Sequence, residues 1–238
     1  MMCAHCGCDV AKAPSEISQR QSPSRRIDLH INLLERNDQQ ALQNRIHFQR
    51  HGLLAVNLLS APGSGKTAFL EQLASLWPQQ PIGVIVGDLA TDNDAQRLAK
   101  AGAKAVQIRT GDRCHLDAAL VANAFTQLNH NELTLLMIEN VGNLVCPAAF
   151  DLGEQLRVVL LSVTEGEDKP LKYPTLFKSA DAVLINKSDL ADVVGFDRSA
   201  AMANLETIAP QAKRFEVSAR TGQGMKAVMQ WLTDELQH

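Results

Sequence analysis

The apolar run Leu53–Leu59 ends in Ser60-Ala61-Pro62-Gly63-Ser64-Gly65-Lys66-Thr67, and helical periodicity follows from Thr67 to Trp77. Strand, glycine-rich loop and helix in that order demand a mainly parallel α/β sheet. The loop works only where a buried strand hands over to the positive end of a helix. A second buried run, Ala182–Ile185, ends in Asn186-Lys187-Ser188-Asp189. Further runs fit to be strands are Ile82–Val86, Ala105–Ile108, Leu133–Ile138, Val158–Val163 and Arg214–Val217. Helical stretches lie between most of them, such as Asp92–Ala101 and His115–Gln127, and a last helix covers Gly224–Leu236. This alternation predicts a seven-stranded, mainly parallel P-loop sheet flanked by helices.

Ahead of that domain, residues 1 to 26 are rich in Ser, Pro, Gln and Arg and read as a flexible tail. In residues 27 to 51 the apolar positions Ile27, Ile31, Leu34, Ala41, Leu42 and Ile46 recur near helical spacing, and Gly52 supplies a stop. That segment is expected to be an amphipathic helix packed on the P-loop domain of residues 52 to 238. A net charge of −3 argues against a nucleic-acid or anionic-membrane partner. No run reaches the roughly 20 apolar residues of a membrane span, and the start of the chain lacks a signal-peptide pattern, so the expected location is the cytoplasm.

Gly63, Ser64, Gly65, Lys66, Thr67 and Ala68 read as the phosphate cradle. The glycines let backbone N–H groups face phosphate oxygens, Lys66 reaches the β/γ-phosphates, and the Thr67 hydroxyl sits on Mg²⁺. Ser60 replaces the usual first glycine. Asp88 ends the second strand, where ligands bind in open sheets, and is assigned to the Mg²⁺ shell or a switch segment, with a turn or cap as its alternative. Glu139-Asn140-Val141-Gly142 stands where many GTPases have the Asp-x-x-Gly that senses the γ-phosphate. Lys66, Asp88, Glu139 and Gly142 are therefore the expected catalytic set. No Gln follows Gly142 and no arginine finger is evident, which predicts slow hydrolysis.

Asp189 can accept two hydrogen bonds from guanine that adenine cannot donate. Asn186 and Lys187 position and cover the ring, and Ser218-Ala219 offers a backbone N–H to the guanine oxygen. Together these imply GTP and GDP as ligands.

All five cysteines fall in two places. Cys3, Cys6 and Cys8, with His5 between them, supply soft ligands suited to Ni²⁺, Zn²⁺ or Cu⁺. Cys114 and His115 read as opening a helix whose dipole favours the thiolate, and Cys146 lies on the loop leaving the γ-phosphate sensor. Adjacent helical residues diverge by roughly 100°, so a metal site of Cys114, His115 and Cys146 is expected to be shared between two protomers; buried structural cysteines are the alternative. His47 and His51, four apart, could share a metal but read as a solvated helix end, and His130 carries no interpretation.

At this point Cys-x-x-Cys-x-Cys, Gly111-Asp112-Arg113-Cys114-His115-Leu116-Asp117, Ile138–Pro147 and Ser162–Pro170 resemble the HypB family of nickel-incorporation GTPases, along nearly the whole chain. The resemblance implies a GTPase of the signal-recognition-particle/MinD type that delivers nickel to [NiFe]-hydrogenase through GTP-linked dimerisation. It implies a high-affinity nickel site at Cys3, Cys6 and Cys8 and a weaker nickel or zinc site at Cys114, His115 and Cys146. Implied partners are a second copy, a HypA-type nickel protein and the hydrogenase large-subunit precursor. Met2 separates the first cysteine from the initiator, a departure that leaves either the terminal amine or His5 to complete the first site. A urease-type accessory GTPase and a metal-storage protein with structural nucleotide are the alternatives.

Overall fold

The computed structural model describes residues 23–78, 81–87, 93–111 and 113–237, with side chains of the first helix from residue 33 onward. The chain runs α1 (Pro23–Arg50), β1 (Leu54–Ser60), α2 (Lys66–Leu76), β2 (Gly83–Val86), α3 (Asn93–Lys100), β3 (Lys104–Gln107), α4 (Ala118–Gln127) and β4 (Leu135–Glu139). It continues β5 (Leu156–Ser162), α5 (Lys169–Lys172), α6 (Pro174–Lys178), β6 (Ala182–Asn186), α7 (Ala191–Val194), α8 (Arg198–Ile208), β7 (Lys213–Glu216) and α9 (Met225–Glu235). All pairings are parallel, in the order β3-β2-β4-β1-β5-β6-β7. The strand leading into the glycine-rich loop is thus central, between the strand ending at Glu139 and the strand ending at Ser162.

Every residue of β1 is buried, as a strand covered on both faces requires. Its even positions, Leu54, Val56 and Leu58, pack with Phe69, Leu70, Leu73 and Trp231 from α2 and α9. On the opposite face Leu53 and Ala55 meet Phe48 of α1 with Val121 and Phe125 of α4. Leu59 joins a third cluster with Phe177 and Leu205 of α6 and α8.

The first helix begins at Pro23, within the stretch expected to be tail, and its buried face differs from the expected one. Leu42 and Ile46 are exposed, whereas Asn37, Ala41, Asn44 and Phe48 are buried at successive helical turns. The grip is largely polar. Asn44 Nδ2 donates to the carbonyls of Ala118 (2.8 Å) and Leu152 (2.9 Å). Asn37 donates to Asp151 O (2.8 Å) and accepts from Ala118 N (2.9 Å), which supplies a helix-start N–H of α4 with its partner. Arg45 pairs with Asp151 at 2.8 Å. Gly153, at φ 90°, lies so close that a Cβ there would come 2.6 Å from Ala41 O. An apolar search misses this seam because its anchors are amides.

Asn44→Ala should therefore leave two buried carbonyls without their donor and cost about 2 kcal/mol of stability. Chemical denaturation monitors this; an unchanged midpoint would mean that apolar contact alone docks α1.

Candidate nucleotide and metal site

The glycine-rich loop turns at Gly63 (φ 74°) and Gly65 (φ 96°), conformations that favour glycine. Gly65 is constrained twice, because a Cβ would stand 2.7 Å from Asn186 Nδ2. Lys66 is buried, and its ammonium donates to Ser60 Oγ at 3.2 Å, so the serine in place of the first glycine helps to hold the lysine. Ser64 Oγ lies 2.5 Å from Glu165 Oε1, and Glu165 caps the short helical turn after β5. Sequence reading gave Glu165 no role, and only contact across the sheet edge reveals one.

Thr67 Oγ1 donates to Glu139 Oε1 at 2.9 Å, so the longer acid reaches the loop hydroxyl directly. A cavity of about 220 Å³ is lined by Gly63, Gly65, Lys66, Thr67, Ala68, Arg97 and Glu139. Arg97, on α3, forks both oxygens of Glu71 at 3.0 and 2.7 Å. No local pattern marks it as a residue beside the phosphate cradle. Gly142 lies against the loop, where a Cβ would sit 3.0 Å from Pro62 Cα. Asp88 and Asp92 lie outside the described residues, as do Cys3, His5, Cys6 and Cys8.

A second cavity, of about 250 Å³, is lined by Gly65, Ala68, Asn186, Lys187, Asp189, Leu190, Ala219 and Arg220. Asn186 is buried and joins three segments: its Nδ2 donates to Ser64 O (2.9 Å) and its Oδ1 accepts from Ala219 N (3.1 Å). The Ala219 N–H expected to face the base is thus engaged by Asn186 here. Lys187 takes a left-handed φ of 60° and donates from Nζ to Gly63 O at 2.8 Å, lying over the phosphate loop. Ser218 Oγ donates to Asp189 Oδ1 at 2.7 Å.

Cys114, His115 and Cys146 come together within one chain, their ligand atoms all within 4.8 Å of one another. This corrects the expectation that a single-chain cluster is awkward. Both Cys114 and His115 precede α4, whose N-cap is Asp117, and loop backbone lets adjacent side chains face the same point. The helix-dipole argument for the Cys114 thiolate falls with it. Hydrogen bonding with the Cys146 thiol, then burial, pushes the Cys114 thiol up. Asp117 is itself a preferred cap residue, and that signal places the helix start correctly.

Cys114 Sγ is 3.5 Å from His115 Nδ1, and the imidazole stacks on Phe150 at 3.9 Å. Burial lowers the His115 pKa, with Arg113 adding to the effect and Asp117 opposing it, so the ring favours the neutral form that can ligate. Two thiols and an imidazole fit a borderline or soft cation. A cleft of about 610 Å³ opens beside them, lined by Leu33, Asn37, His115, Cys146 and Phe150 among others.

The two sites share one segment. After Glu139, the buried Asn140 accepts from Leu116 N (3.2 Å), directly after His115, and donates to Asn57 Oδ1 (3.3 Å) in β1. Asn143 Nδ2 donates to Cys114 O at 3.3 Å. Cys146 then opens a short 3-10 turn. Residues 139–146 therefore abut the phosphate loop at one end and carry a cluster thiol at the other.

A parallel sheet with this loop at the carboxyl end of its central strand is the fold of a P-loop GTPase. The family model for the CobW/HypB/UreG nucleotide-binding domain matches residues 54–216. Within that group the chain belongs to the HypB family. It is 50% identical over 212 residues to the hydrogenase maturation factor HypB of Rhizobium leguminosarum bv. viciae, covering 89% of this chain and 71% of the relative. The crystal structure of HypB from Archaeoglobus fulgidus matches at TM-score 0.80 and 40% identity, over 85% of this chain and all of the other. HypB from Helicobacter pylori in complex with nickel matches at TM-score 0.82 and 40% identity, over 85% and 95%.

Asn186→Ala should loosen the base loop and the phosphate loop together, weakening GDP binding by about tenfold or more and lowering stability by about 2 kcal/mol. A fluorescent-GDP titration beside a melting curve tests this; wild-type affinity in the variant would rule out the three-way tie.

Proposed function

We propose that the chain is a slow GTPase that carries nickel for [NiFe]-hydrogenase maturation and changes its hold on the metal with its nucleotide state. One observation carries the reading: residues 139–146 touch the phosphate loop and also deliver Cys146 to the Cys114–His115 pair. The hydrogenase-maturation names of the relatives and the nickel complex of the Helicobacter pylori protein support the cargo and the client.

Lys66 and the loop N–H groups bind the phosphates, with Glu139 and Gly142 at the terminal one, and Asp88 is assigned to the Mg²⁺ shell or a switch segment. The Thr67 hydroxyl and the Glu139 carboxylate are hard oxygen donors that fit Mg²⁺, which neutralises phosphate charge when bound. Asp189 reads the guanine edge, and Asn186, Lys187, Ser218 and Ala219 frame it. Cys114, His115 and Cys146 hold nickel, for which zinc competes through the same donors. Cys3, Cys6 and Cys8 form a second nickel site. GTP binding pulls the Glu139 segment toward the γ-phosphate and alters the Cys146 position. A homodimer formed with GTP, a HypA-type nickel protein and the hydrogenase large-subunit precursor in the cytoplasm complete the reading.

Calorimetric titration of nickel into the GDP form and the non-hydrolysable GTP-analogue form should give dissociation constants that differ by about fivefold or more, corresponding to a coupling of about 1 kcal/mol. Equal constants would remove the switch and leave the GTPase. Unassisted turnover should stay below about 1 s⁻¹ in a phosphate-release assay, and faster turnover would contradict the slow-hydrolysis reading.

The raised Cys114 pKa gives the binding a pH sign. Thiol protons compete with the metal, so affinity at this cluster falls as pH drops, by up to about a hundredfold per unit if two are displaced. Nickel titrations between about pH 8 and about pH 6, where protons compete with metal for thiols, check the slope. A flat profile would exclude two-thiol ligation.

A further inference from the structure

His47 and His51 stand one turn apart at the end of α1, and the connection between α4 and β4 brings His130 to the same place. Ring centroids are 4.7 Å apart for His47–His51, 4.5 Å for His51–His130 and 6.5 Å for His47–His130. Phe125 is their floor, stacked on His130 at 4.5 Å and edge-on to His47 and His51 at 5.2 and 5.9 Å. Because Phe125 is only 1% exposed, the imidazoles rest on a fixed core ring.

Two of the rings have their tautomer set by backbone. His51 Nδ1 lies 2.8 Å from His47 O, and His130 Nδ1 lies 2.9 Å from Leu128 O. A carbonyl only accepts, so each Nδ1 carries the proton and each neutral ring keeps its Nε2 lone pair for a ligand. Metal-binding histidines are oriented by this kind of outer hydrogen bond. Three imidazoles on one tetrahedral ion, with metal–nitrogen bonds of about 2.0 Å, place their centroids roughly 5 Å apart. Two of the three separations are close to that value, and closing the third, 6.5 Å in this structure, requires the exposed His47 side chain to swing toward His130 when an ion binds.

We propose that His47, His51 and His130 form a three-imidazole site for a borderline divalent cation such as Cu²⁺, Ni²⁺ or Zn²⁺. The site is separate from the cysteine cluster and lies at the amino edge of the sheet, away from the nucleotide. Burial, and then His51, His130 and Arg50, disfavours the protonated His47 ring and so favours its ligating form. The same positive Arg50 and the lack of a thiolate make this the weaker of the two sites. Among divalent cations, Cu²⁺ should bind it most tightly. An ion held there clips the end of α1 to the α4–β4 connection, so binding should stabilise the fold.

The full-length chain with all five cysteines changed to serine removes the thiol sites and is titrated with Cu²⁺ and with Ni²⁺ alone. One equivalent of Cu²⁺ should bind with nitrogen hyperfine structure in its electron paramagnetic resonance spectrum, and saturation should raise the melting midpoint by roughly 5 °C. His130→Phe retains an aromatic ring against Phe125, and in that variant the bound equivalent and the thermal shift should both be lost. His47→Ala should weaken binding by about tenfold or more. No bound ion in the cysteine-free chain, or undiminished binding in His130→Phe, would overturn the three-imidazole site.

Discussion

The buried amide of Asn140 sits where the nucleotide edge and the metal loop meet. Its backbone N–H donates to Leu58 O at 3.1 Å, its Nδ2 donates to Asn57 Oδ1 at 3.3 Å, and its Oδ1 accepts from both Leu116 N (3.2 Å) and Val141 N (2.9 Å). An amide with 0% exposure cannot exchange these partners for water without opening the core. Leaving one buried donor or acceptor unmet costs about 1–3 kcal/mol. That is comparable to the coupling energies by which ligands communicate. Displacement of Glu139 must therefore either carry Leu116 and its neighbour His115 along or break a bond of that size.

The topology explains why such a tie exists in this place. The central β1 delivers the phosphate loop, and its neighbour β4 delivers Glu139 to the same carboxyl edge. Chain leaving β4 has to cross in front of the loop, and the missing Cβ of Gly142 lets it pass against Pro62. The α1 seam braces the other side. Asn37 and Asn44 bind Ala118, just after the Cys114–His115 loop, and the 151–152 turn, just after Cys146. The cluster is thus framed by two sets of buried amides, and its ligands meet without help from a second chain.

Much of this was legible from residue order. Strands read as short runs between helical stretches, so all seven were anticipated, each to within a residue or two at its ends. The phosphate and base loops were legible because glycine, lysine and amide side chains at fixed spacing after a strand carry their own mechanism. Helices α5 to α8 were not, since three of them are only four or five residues long and lack a full amphipathic period. The face of α1 was misread because its anchors are asparagines, and burial of a hydrogen-bonded amide leaves no apolar signature. His130 gained meaning only when the fold set it beside His47 and His51. For Cys114 and His115 the error was one of local structure: Asp117 caps α4, and a loop permits what a helix forbids.

In the proposed coupling, the Asn140 bonds transmit nucleotide state to the metal cluster. The most direct measurement is the ratio of nickel dissociation constants in the GDP and GTP-analogue forms, compared between the wild type and an Asn140→Ala variant that still melts cooperatively and binds GDP. That ratio is expected to collapse toward one in the variant. A variant that keeps the full wild-type ratio would contradict the coupling.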